Sequence, residues 1–365
     1  MHIPKILFTV IGLALCLPLS AGDLPRVEIA HVFAPQGESN VRSSIQLEPG
    51  VGLIGTEESG LIFKTGDDGR SWRQVFDGEA TWGIADVRNF IKAEDGNVYI
   101  TTTEPALVAC STDEGETWEI VHEAPASRTV GLTQLESGTI LVGLRRSENQ
   151  RTSILRTEDY FDTVEWIAVD KDAPRQNVTC FGYWGGESIF AGVGFEGSGK
   201  VYQSTDDGRS WKRVAEFPEA RDLMGFFKTG EEIYVLASGI ATIFKSSDKG
   251  ATWSKSMQFW EKGFLGECVS MTIDNTRYRI LSATDQRHAV YRHVLLVSRA
   301  GSNEWKEWVD FAKAEKGRVT SAKESGGGAS NLAPLSGDTI VVGIGNHAVQ
   351  GKAYTLQILP DAPSR

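Results

Sequence analysis

The chain is 365 residues long and carries 48 acidic against 37 basic side chains, a formal net charge of −11 at neutral pH. That balance excludes the broad positive footprint of a nucleic-acid binder and of a protein drawn to an anionic bilayer surface. It leaves room for a local basic site.

In chain order, residues 1–22 stand apart. A short basic start ending at Lys5, an apolar stretch over 6–17 and the small-residue site Leu19-Ser20-Ala21 read as a secretory signal peptide. The segment is too short for a membrane span, and no later stretch is apolar enough for one. A soluble, monomeric, secreted or periplasmic protein is the expectation. Cys110, Cys180 and Cys268 remain beyond the leader. An odd number inside strand-like runs reads as small core residues rather than a disulfide framework, and no Cys/His spacing resembles a zinc site. Neither a metal nor a cofactor is expected.

Residues 23–365 are expected to form one domain, because they repeat one phrase. Thr65-Gly66-Asp67-Asp68-Gly69-Arg70-Ser71-Trp72 returns in the stretches ending at Trp118, Trp211 and Trp253, all of the form Ser/Thr-x-Asp-x-Gly-x-Ser/Thr-Trp. Decayed copies begin at Thr157, closing on Trp166, and at Ser298, closing on Trp305. Repeats of this length mark a propeller or a related array. Strand-like runs such as Val98-Tyr99-Ile100 and Leu61-Ile62-Phe63-Lys64 precede each box. A unit without a box ends the chain, and the segment 26–34, which has no unit of its own, is expected to pair with it and hide two sheet edges. The expected fold is all-β: a seven-bladed β-propeller with box turns, six blades being the runner-up.

Asp67, Trp72, Asp113, Trp118, Asp206, Trp211, Asp248 and Trp253 are read as structural. The box glycine supplies a positive φ, the hydroxyl and carboxylate hold turn backbone, and the indole wedges between sheets. Calcium binding by the repeated aspartates is the alternative, but the loops lack the alternating oxygen ligands it needs.

The phrase resembles the Asp-box of a β-propeller superfamily that includes sialidases, xyloglucan-cleaving glycosidases, sortilin-type receptors and photosystem II assembly factors. The resemblance covers essentially all of residues 23–365. It implies that the boxes lie opposite a functional face built from the loops entering each innermost strand and those between the second and third strands. Here those loops carry Arg42, Arg88, Arg128, Arg221 and Arg287 as candidate ligand-binding residues, with Arg145 and Arg146 nearby. Asp86, Asp222 and Glu267 are the candidate catalytic carboxylates. Glu57, Glu58, Glu104, Glu148, Glu196, Asp285, His288 and His347 add polar groups, and Trp82, Trp184, Trp260 and Phe264 aromatic ones.

Sialidase chemistry requires an arginine cluster, a Tyr nucleophile with a Glu partner, and an Asp acid. Val41-Arg42-Ser43-Ser44 resembles the family's first arginine motif without its proline. Asp86 and Glu267 fall near the Asp and Glu positions, and Arg279 or Arg287 offers a further guanidinium. The stretch 330–342 holds no tyrosine, which argues against a sialidase. An inverting glycosidase needs two carboxylates about 6.5–9.5 Å apart, and Asp86 with Glu267 or Asp222 has the right chemistry. The photosystem relatives instead hold a protein partner on an arginine-rich face. The leading expectation is an exported propeller that recognises an extracellular or periplasmic glycan, hydrolysing it if two carboxylates face each other. A non-catalytic, protein-binding scaffold is the alternative. The Lys, Glu, Ser and Gly-rich stretch 312–330 reads as an insertion over the mouth.

Overall fold

The computed structural model describes residues 24–124, 126–147, 151–174, 176–194, 198–287, 291–314, 329–345 and 351–359. The segment read as a signal peptide, most of the 312–330 insertion, and Glu148, Glu196, His288 and His347 lie outside them.

Among the described residues the chain is nearly all strand. The strands form seven successive antiparallel units of four: 40–77, 86–123, 126–174, 177–217, 222–258, 263–310, and 329–359 completed by Arg26–Phe33. Their first strands are Asn40–Glu48, Asp86–Lys92, Ala126–Gln134, Asn177–Gly182, Asp222–Thr229, Gly263–Ile273 and Ala329–Pro334. Each packs against the next and the last against the first, so the units close a ring with these strands innermost. The core lies between units rather than within them. Leu53 and Ile62 of the first unit, for example, pack with Val98, Ile100 and Trp118 of the second.

The ring shuts by pairing a strand from the start of the described chain into its last unit. Arg26–Phe33 runs antiparallel to Lys352–Leu359, from Arg26 opposite Leu359 to Phe33 opposite Ala353. Trp308 Nε1 donates to the Pro25 carbonyl at 2.8 Å and ties this strand to the sixth unit. The first three units are further zipped into one twelve-stranded sheet by the pairs Glu57–Asp86 and Thr103–Arg128.

The boxes are hydrogen-bonded alike. In the second unit the Ser111 hydroxyl donates to Asp113 at 2.8 Å and accepts from the Gly115 amide at 2.7 Å. Asp113 accepts from the amide and hydroxyl of Thr117 at 2.8 and 2.6 Å, and Trp118 Nε1 donates back to the Gly115 carbonyl at 3.2 Å. Two successive residues take positive φ, Glu114 at 60° and Gly115 at 88°; a Cβ on Gly115 would sit 2.7 Å from Leu53 of the first unit. The third unit keeps the network on Thr157, Asp159 and Thr163, with Phe161 at the glycine position, φ 80°. The box spacing from Thr157 puts Val164, not Trp166, at the tryptophan position, which corrects the sequence reading of this copy.

Candidate functional site

The register fixes which residues share a rim. In each unit the first strand starts opposite the end of the second: Asn40 faces Glu57, Asp86 faces Thr103, Asp222 faces Ser238 and Gly263 faces Asp285. The boxes close the third strands, which run parallel to the first, and therefore lie at the opposite rim. Arg42, Arg88, Arg128, Arg221 and Arg287 share the first rim; Trp72, Trp118, Trp211 and Trp253 share the other.

Three arginines come together on the zipped units. Asp86 is only 2 % exposed. Arg88 Nη1 donates to its Oδ2 at 3.3 Å, and Arg42 Nε stands 3.9 Å from the same oxygen. Arg42 Nη1 is also 3.6 Å from Glu57, and Arg128 grips Glu104 through Nε and Nη2 at 3.1 and 2.8 Å. Burial pushes the Asp86 carboxyl up, against the pull of both arginines. Burial, with Arg42 alongside, pushes Arg88 down to about 10, which leaves it cationic at neutral pH. Arg42 Nε and Asp86 Oδ1 are buried with no hydrogen-bond partner, a desolvation cost that an incoming anion or donor would offset.

Across the ring the same device recurs. Buried Asp222 accepts from Arg221 Nε at 2.7 Å, and fully buried Asp285 takes Arg287 through Nε and Nη2 at 3.0 and 2.8 Å. The Arg221 guanidinium lies over Phe264 at 4.8 Å and that of Arg287 over Trp260 at 5.9 Å. A buried carboxylate holding an exposed guanidinium by one edge fixes its aim and leaves its other N–H groups available. Asp86 and Asp222 are thus engaged by arginines.

Glu267 lies four residues inside the strand that starts at Gly263, not in the loop before it. Its carboxylate accepts the Leu332 amide of the seventh unit at 2.8 Å. It is reached by solvent yet walled by protein, and that burial pushes its carboxyl up to about 7.

Two sequence expectations of placement fail. Arg279 pairs in register with Ser270 and Ser298, beside the box rim; it is buried, donates to Ser298 Oγ at 2.9 Å and to the Ser302 carbonyl, and lies among Phe227, Tyr234 and Trp305. Trp184 follows the far end of Asn177–Gly182 and is therefore also on the box rim. A cavity of about 430 Å³ lined by Leu135, Tyr183, Asp207 and Arg209 lies on that rim too, opposite the rim that carries Arg42, Arg88 and Arg128.

What the sequence reading missed is a set of bulges. Every innermost strand slips register in its first half, leaving Arg42, Arg88, Val130, Thr179, Met224 and Ser330 without a cross-strand partner, and Gly266 with Glu267 in the sixth unit; the first unit slips a second time at Leu47. A signal existed: glycines recur in the second strands opposite the slips. A Cβ on Gly143 or Gly192 would stand 2.4 Å from the Val178 carbonyl or 2.5 Å from Cys180 Sγ, the close approach that strand glycines mark.

Among the described residues no group of three or more His, Cys, Asp or Glu is placed to hold a metal, and no helix is long and apolar enough to cross a membrane. Neither a protein-family model nor a curated protein matches the sequence. Solved structures do. "YCF48 bound to D1 peptide" aligns at TM-score 0.58 and 14 % identity, over 92 % of this chain and 96 % of that one. Virginiamycin B lyase from Staphylococcus aureus aligns at 0.60 and 13 %, over 92 % and 99 %. The chain is a β-propeller. A GH74 xyloglucanase from Xanthomonas campestris aligns at 0.62 and 14 %, over 94 % of this propeller but 55 % of its own length. At such identities the likeness carries the architecture alone.

Proposed function

We propose that this is an exported, non-catalytic binding propeller that holds an acidic segment of a partner protein across its arginine rim. The observation that carries the reading is the anchoring of arginines by buried Asp86, Asp222 and Asp285, with the Arg221 and Arg287 guanidinium groups open to solvent and Arg88 partly so. Such pre-aimed donors suit carboxylates. Two of the three candidate acids act here as positioning groups for arginines, which speaks against hydrolysis. The similar structure of YCF48 with a D1 peptide is a propeller with a peptide ligand. The aromatic groups Trp260 and Phe264 favour a second reading, an acidic glycan stacked on the rim, although each ring already has a guanidinium over it.

Calorimetric titration with an acidic ten-residue peptide and with an oligogalacturonate separates the readings. The peptide should bind, weaken roughly tenfold on Arg128→Ala, and weaken again in about 0.5 M salt. Arg128 answers an exposed Glu104, so its loss should leave the melting temperature nearly unchanged. Binding of the sugar alone would install the glycan reading, and binding of neither would reject both.

A further inference from the structure

The cavity on the box rim lies between the third and fourth units, and hydrogen bonds fix both of its walls. One wall is the turn 183–188, the longest of the seven turns that join a first strand to a second. Glu136 of the third unit pins it twice: the Glu136 amide donates to the Tyr183 hydroxyl at 3.1 Å, and its carboxylate accepts the Gly186 amide at 3.1 Å. Gly185 and Gly186 take positive φ, 86° and 77°, and a Cβ on Gly185 would stand 2.4 Å from that carboxylate. A side chain there would push the turn away. The facing wall is the fourth box. Its Asp207 accepts the Ser137 and Thr139 hydroxyls at 2.6 and 2.7 Å and buried Arg156 at 2.7 Å, all from the third unit. A concavity of this size with walls already in place suits a small ligand.

The lining sets the ligand's chemistry. Leu135 and Ile189 are apolar and buried, and Tyr183 adds an aromatic ring. Glu187 and Thr205 make no hydrogen bond to any described residue, and the Tyr183 oxygen accepts from Glu136 with its own O–H left to donate. The uncommitted groups therefore include a carboxylate that only accepts, a hydroxyl that does both, and a phenol that donates. An ammonium ligand could only donate and an anion only accept. A ring bearing several hydroxyls does both and offers C–H faces to an aromatic side chain. Three lining carboxylates, Glu187, Asp206 and Asp207, outnumber Arg209, which is engaged by Glu158 and Asp207, so an acidic sugar is repelled. We propose that this cavity is a second binding site, which takes one ring of a neutral sugar. It lies opposite the arginine rim and stands independently of the protein-binding reading.

Ligand-observed NMR titration of the whole propeller with methyl glucopyranoside, methyl galactopyranoside and glucuronate tests it. One or both neutral glycosides should bind, and glucuronate should bind about tenfold more weakly. Glu187→Ala should weaken the bound glycoside about tenfold and Thr205→Ala about threefold, the scales of a hydrogen bond to a charged and to a neutral group. Arg128→Ala should leave it unchanged. Glu187 and Thr205 are exposed, so melting temperatures of both variants should match the parent. The linear tetramer of the bound sugar then separates two sources: equal affinity assigns the site to a chain end, exclusion to a free sugar, and either keeps it. Failure of both glycosides to bind, a preference for glucuronate, or binding that survives Glu187→Ala at full strength overturns the site and leaves the arginine reading standing.

Discussion

Arg279 supplies, from another strand, what the sixth box lost. Ala300 stands where the other boxes have aspartate, and the Arg279 guanidinium binds the Ser298 hydroxyl and the Ser302 carbonyl in its stead. Replacing it by Met keeps the contact with Phe227, Tyr234 and Trp305 but removes the charged donor, leaving the turn only the Ser298 hydroxyl's own bonds to the Arg299 and Ser302 carbonyls at 3.3 and 3.2 Å. Arg279→Met should therefore destabilise the fold by roughly 2–3 kcal/mol, read from the urea midpoint at unchanged slope. A neutral result would show that the turn holds without the cation. At this scale the sequence was half legible. The repeating Ser, Asp and Gly announced their turns, because a tight turn makes the same local demands wherever it occurs. Arg279 carried no such mark: its assignment to the arginine rim failed because contacts across strands are set by register, which composition does not encode. Val164 escaped notice for the opposite reason, since nearby Trp166 matched the motif by type but not by spacing.

At the scale of elements, the box tryptophans join neighbouring units. Trp118 is nearly buried among Leu47, Leu53 and Ile62 of the first unit and Phe90 of its own. Trp118→Ala should cost about 3–5 kcal/mol as a core truncation, and a loss below about 1 kcal/mol on thermal or urea unfolding would contradict the joining role. The units themselves could be read from period and from β-branched runs between turns. The slips in their first strands could not, because a bulge is one uncounted residue and leaves hydrophobic alternation almost intact. That omission hid Met224 and misplaced Glu267 by half a strand.

At the scale of the whole molecule, Glu267 links the sixth unit to the seventh. Its carboxyl is raised in the folded state, from an ordinary 4.5 to about 7. The folded protein therefore holds this proton more tightly than the unfolded chain does. The stabilisation is fully present below about pH 4.5 and is lost as pH rises through about 7. Glu267→Gln should flatten the fall in unfolding midpoint between these limits, and an identical slope in parent and variant would refute the assignment. The other global feature is the shared seventh unit. Arg26–Phe33 meets its mate only in Lys352–Leu359, at the far end of the described chain. A ribosome must deliver all of residues 34–351 before the circle can be fastened, so earlier stretches wait as an open arc whose terminal edge invites mispairing. Chaperone demand during biosynthesis should accordingly peak late, in the interval before the final strand emerges.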